Sequence, residues 1–163
     1  MFRRLLAFAF LTIALPAVAQ SVPATNYSDM WYLPAESGWG VSFVQHSPTN
    51  NVYAVWYTYD PRDPEPTVPG NFRPMWVVLA GGGSWTSPTS YTGPVYVTSG
   101  LPFNQSGSNT KVNAVGTFTF NFLDANNGTF TYNISAPTGI PNTDPAFGLP
   151  PISGTKSIQR QSF

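Results

Sequence analysis

From residue 38 onward the chain alternates apolar and polar positions in short runs, each closed by Pro, Gly, Ser, Thr or Asn. A period of two sends successive side chains to opposite faces, so each run predicts a strand with one buried face. Run 38–46 sets Trp39, Val41 and Phe43 against Gly40, Ser42 and Val44. Run 52–59 sets Val52, Ala54 and Trp56 against Tyr53, Val55, Tyr57 and Tyr59. Run 75–80 is apolar on both faces, Gly81-Gly82-Gly83 breaks it, and 90–98 supplies the next strand. The strictest alternation lies in 115–122, where Phe118, Phe120 and Phe122 oppose Thr117, Thr119 and Asn121. Residues 124–128 tolerate the positive φ of a tight turn, and 129–134 returns with Phe130, Tyr132 and Ile134 inward. A last run, 155–161, is mostly polar and anchored by Ile158.

Segments 60–73 and 137–151 are rich in proline and predict loops, because proline cannot donate to a central ladder. No run beyond the N-terminal segment keeps a helical period. Seven or eight sequential strands joined by mostly short turns predict an all-β antiparallel meander. Its two edges must be hidden, most simply by closure. A small up-and-down barrel is therefore expected, with a two-sheet sandwich as the alternative. In a barrel the polar last strand pairs with the first.

The first 19 residues follow other rules. Arg3 and Arg4 precede an apolar run over 5–15, and Ala17-Val18-Ala19 forms a small-residue cleavage site. This predicts a secretory signal, shorter than the roughly 20 apolar residues of a spanning helix. Cleavage after Ala19 leaves one β domain, 20–163, exported to the periplasm or beyond the cell. The chain has no cysteine, so its stability must come from packing alone. Past Arg4, five basic residues face seven acids, a net charge of −2. With no basic stripe to neutralise phosphates, nucleic acid is excluded as a partner. Gln159 and Gln161 occupy positions where a lipid-facing row requires apolar groups, which disfavours an integral membrane barrel.

Candidate chemistry is sparse. His46 is the single histidine, with no cysteine and no Gly-x-Ser-x-Gly elbow beside it. A zinc site usually collects three or four ligands, and a lone histidine does not supply them. Glu36, with Asp29 or Asp60 as partner, is the one candidate for a paired-carboxylate glycosidase. Asp60, Asp63 and Glu65 lack the regular frame of a calcium loop and read as a solvated loop. Gly81-Gly82-Gly83 has no following helix to cradle a phosphate. No catalytic residue, metal or cofactor is assigned on these grounds.

The aromatics carry more information. All five tryptophans, at 31, 39, 56, 76 and 85, fall in one third of the chain. Trp31-Tyr32-Leu33-Pro34-Ala35-Glu36-Ser37-Gly38-Trp39 combines two of them with an acid, a proline and a glycine. That motif, continued by Gly40, resembles a group of small exported, mostly uncharacterised bacterial proteins. Further landmarks of the resemblance are Trp56-Tyr57-Thr58-Tyr59-Asp60, Pro74-Met75-Trp76, Tyr91-Thr92-Gly93, Asn127-Gly128-Thr129-Phe130 and Ile158-Gln159-Arg160-Gln161. The resemblance implies export and a β-fold, and no activity. The proline-rich stretch 61–69 is longer here than in that group.

The rings are either core or a binding surface. The functional expectation is a non-catalytic domain that recognises carbohydrate or another extended ligand through Trp31, Trp39, Trp56, Tyr57 and Trp76. Glu36 would accept a hydrogen bond from a ligand hydroxyl. A structural or protein-partner role, enzyme inhibition included, is the alternative, and a glycosidase using Glu36 is a third reading.

Overall fold

The computed structural model describes residues 22–62, 73–107 and 109–162. The expected signal sequence, Asp63 and Glu65 lie outside them. Nine strands follow in order: β1 (Asp29–Tyr32), β2 (Gly40–His46), β3 (Asn51–Tyr59), β4 (Pro74–Ala80), β5 (Ser84–Ser87), β6 (Ser90–Ser99), β7 (Lys111–Phe122), β8 (Asn127–Ile134) and β9 (Ile152–Arg160). All pairings are antiparallel and run between sequence neighbours, apart from two closures. β9 returns to β1, and β4 reaches β6, so eight strands close a barrel and β5 lies on β6 as an extra strand.

The closed meander is the expected architecture, with two corrections at its seams. The last strand does not pair with 40–46 but with β1, a four-residue strand that the alternation does not reveal. The second seam is shared. Val78 of β4 opposes Tyr96, while Ser84 of β5 opposes Thr92, so β4 and β5 are one arm kinked at the glycine run. A Cβ on Gly83 would lie 2.5 Å from the Thr92 carbonyl oxygen and 2.6 Å from the Tyr91 hydroxyl. Only glycine lets the two backbones come that near.

Inward positions alternate as expected and fill the barrel with rings. Phe43, Phe118, Phe120, Phe122, Phe130, Tyr91 and Trp85 are all buried. Phe120 stacks on Phe130 at 5.2 Å, and Phe43 meets Phe120 edge to face at 4.9 Å. Such pairs are worth about 0.5–1.5 kcal/mol each beyond the area they bury.

The two ends of the barrel differ. Short turns at 47–50, 88–89 and 123–126 share one end, whereas β1 leads to β2, β3 to β4, β6 to β7 and β8 to β9 from the other, the long-loop end. The short-turn end is plugged by Tyr27, stacked on Phe122 at 3.9 Å. Gln45 points inward there because its Oε1 accepts the buried Tyr27 amide at 3.0 Å. At the long-loop end the proline-rich 137–151 segment is a loop, as expected, yet it sends Ala146 and Leu149 into the core. Arg62 fastens that loop by donating to the Pro145 and Phe147 carbonyls at 2.7 and 3.0 Å.

Candidate functional site

β3 and β4 carry opposite cargoes on their two faces. Inward, Val52, Ala54, Trp56, Val77 and Leu79 belong to the core. Outward, Tyr57 and Trp76 are direct cross-strand partners, exposed at 48% and 52%. Tyr53, also half exposed, continues the row, and the outward Val55 and Val78 opposite each other are nearly covered. With Tyr96 of β6 these side chains line a depression of about 470 Å³ on the outer wall. A second depression, of about 450 Å³, lies beside it and is lined by Met30, Trp31, Tyr32, Trp39, Tyr57 and Gln161 with the backbone of Gly38 and Gly40. Tyr57 borders both, so the two form one track across β4, β3, β2 and β1. Among the described residues, no charged side chain lines either part. The walls of β7, β8 and β9 contrast with it: Thr117, Thr119, Thr129 and Thr131 alternate with inward rings, and Ser153, Thr155 and Ser157 are exposed on β9.

Trp39 borders a third depression, a pocket of about 180 Å³ at the long-loop end of the interior. Trp56, Phe130 and Tyr132 form its walls, and Glu36 and Lys156 its polar side. Loop 33–39 brings Glu36 across to β9, where Lys156 Nζ donates to both carboxylate oxygens at 2.8 and 2.9 Å. Trp39 Nε1 donates to the same carboxylate at 3.0 Å. Tyr132 can lie over β9 because position 154 is glycine: a Cβ there would sit 2.7 Å from the Tyr132 hydroxyl. Trp56 stacks obliquely on Tyr132 at 4.8 Å, and its Nε1–H is buried with no hydrogen-bond partner among the described residues. Leaving such a donor unpaired costs about 1–3 kcal/mol.

The six residues singled out by sequence therefore separate. Glu36, Trp39 and Trp56 meet at the interior pocket, and Tyr57 and Trp76 meet on the outer wall. Trp31 borders the second outer depression but exposes none of its surface there. It is wholly buried, donates its Nε1–H to the Tyr27 carbonyl at 3.0 Å and packs on Phe122 at 5.0 Å. Its position on β1 puts its ring in the inward phase, which makes it core. Lys156, Tyr132, Tyr53 and Tyr96 were not singled out from the sequence as site residues, although Tyr132 reads as inward and Tyr53 shares the face of Tyr57. Lys156 had a usable signal, since it stands two residues from the buried Ile158 and so shares its inward phase.

The acids once considered as a catalytic pair are each held by a separate base. Asp29 lies 3.4 Å from Arg160, Glu36 2.8 Å from Lys156, and Asp60 2.7 Å from Arg62. Burial pushes the Asp60 carboxyl up, but the hydrogen bonds from Arg62 outweigh it and leave the group below its ordinary value. Hydrogen bonds from Lys156 and then Trp39 hold the Glu36 carboxyl below its ordinary 4.5, and the bond to Glu36 holds Lys156 above its ordinary 10.5.

These shifts fix a pH window. Glu36 contributes stability that is present above its unfolded pKa and lost as pH falls through the lower folded value. Lys156 contributes stability that is present below its unfolded pKa and lost as pH rises through the higher folded value. Subtracting the stability profile of Glu36→Gln from that of the wild type should leave a plateau between those limits, closing toward acid. A difference that stays constant down to strongly acidic pH would show that the pair does not form.

No protein family matches this chain, and no match is found among curated proteins or among solved structures.

Proposed function

We propose that this is an exported, non-catalytic domain whose outer wall binds an extended neutral carbohydrate. The observation that carries the reading is the uncharged aromatic track with Tyr57 at its centre and Trp76 and Trp39 toward its two ends. Flat half-exposed rings stack on the apolar faces of sugar rings, and exposed apolar patches usually mark binding sites. The two parts of the track present no charged side chain among the described residues, which suits a neutral polymer. The depression adjoining them at Trp76 carries Asp60, Arg62, Arg73 and Asp144, two acids against two bases. The secretory signal expected over residues 1–19 supports export to where such polymers occur. Glu36 fits a glycosidase acid poorly, because that role needs a raised pKa and its pKa is lowered.

Neutral oligosaccharides of the glucan, xylan, mannan and chitin types, titrated into the chain starting at Gln20, test this by tryptophan fluorescence. A saturable change that tightens from disaccharide to hexasaccharide is expected, since a longer chain covers more of the track. A flat response across the panel would sink the reading. The aliphatic Val44 and Val112 on the same outer surface, 48% and 60% exposed, would then favour a protein partner.

A further inference from the structure

We infer that the interior pocket at the long-loop end is a second binding site, built for a single neutral polyhydroxylated ring such as the terminal sugar of a chain. The inference rests on the carbohydrate reading of the outer track and adds an end point to it. Its first support is an account of the five indole N–H groups. Trp31 donates to Tyr27, Trp39 to Glu36 and Trp85 to the Asn50 carbonyl. Trp76 stands on the open wall. Trp56 alone is more than nine-tenths buried and unpartnered, and it borders the pocket. A buried donor without a partner calls for an acceptor from outside the fold.

The second support is the chemistry around it. Glu36 and Lys156 neutralise one another, so the pocket has no net charge with which to draw an ion. Both groups keep hydrogen-bonding capacity: the carboxylate has about four lone-pair sites, and the ammonium has three donors. A hydroxyl both donates and accepts, so adjacent hydroxyls on one ring can satisfy Glu36 and Lys156 together, and a further one pairs with the enclosed Trp56 N–H once the rings around it shift. Trp39, Phe130 and Tyr132 supply apolar walls for its C–H faces.

Size and position agree. About 180 Å³ lies well below the roughly 300–1,000 Å³ of drug-sized sites, which limits the occupant to one ring. Trp39 borders both this pocket and the outer track, so a chain lying on the wall can turn its last unit inward.

The five indole signals make the test direct. The ¹⁵N-labelled chain is titrated with methyl glycosides of glucose, galactose, mannose, xylose and N-acetylglucosamine, then with the matching oligosaccharides. Glucuronate and glucosamine serve as charged controls, and single Trp→Phe variants assign the signals. A neutral methyl glycoside should move the Trp56 signal downfield to saturation while Trp31 and Trp85 stay fixed. Trp56→Phe should weaken that binding by about three- to tenfold, the worth of one hydrogen bond. Should that variant fail to fold, the wild-type titration still decides. Oligosaccharides that move Trp76 but leave Trp56 fixed would overturn the pocket and keep the outer track. Binding of the charged controls alone would overturn the neutral class, and five unmoved signals would remove both proposals.

Discussion

Trp31→Ala is expected to destabilise the barrel by about 4 kcal/mol, the middle of the range for deleting a buried aromatic side chain. For a chain of this size that loss lowers the melting temperature by about 10–20 °C. Three losses combine. The side chain is 0% exposed, so its removal leaves a cavity rather than a dimple. The Tyr27 carbonyl loses the indole donor that holds the plug segment over the short-turn end. The Arg160 guanidinium, 5.3 Å above the ring, loses its aromatic partner at the β1–β9 seam. A thermal or urea melt followed by near-ultraviolet circular dichroism reads the effect. A midpoint within a few degrees of the wild type would show that β1 is not integral to the closed barrel.

The same residue shows where sequence reading ends. Seven of the eight barrel strands were legible, most by period-two alternation between a buried and an open face and 75–80 as a continuous apolar run closed by glycines. Alternation failed for Asp29–Tyr32, where four residues are too few to show a period and the burial pattern has only Trp31 fully inside. Composition alone cannot assign a ring to core or surface, since both want aromatic residues. Phase can. Trp56 and Tyr57 are adjacent in sequence and end on opposite sides of the wall, 7% and 48% exposed. Glu36 and Trp39 were legible as a unit, three residues apart in one loop. Lys156 completes that unit from a distance of 120 residues, and only barrel closure brings it there. The kink at Gly81-Gly82-Gly83 was legible as a break, whereas the return of Ser84–Ser87 to β6 depends on the close backbone approach at Gly83.

The double replacement Tyr57→Ala with Trp76→Ala should produce the opposite profile to Trp31→Ala, with binding lost and the fold kept. The two rings are cross-strand partners on an outward face, each about half exposed. Their mutual contact is worth about 0.2–1 kcal/mol, so the melt should shift by only a few degrees. On the ligand side, central aromatic residues of a binding surface are its usual anchors. Losing two of them should weaken oligosaccharide binding by about a hundredfold, taking roughly 1.4 kcal/mol, or tenfold, for each ring. Because the two residues are directly opposite on neighbouring strands, the single variants should not sum to the double. Thr129→Ala, on the polar wall of β8, provides the control and should leave affinity unchanged. If the double variant bound as tightly as the wild type, the track would be an incidental patch and the interior pocket would have to bind sugar unaided. If Thr129→Ala weakened binding equally, the ligand would lie across the threonine wall, and recognition would rest on hydroxyl pairing rather than on stacking.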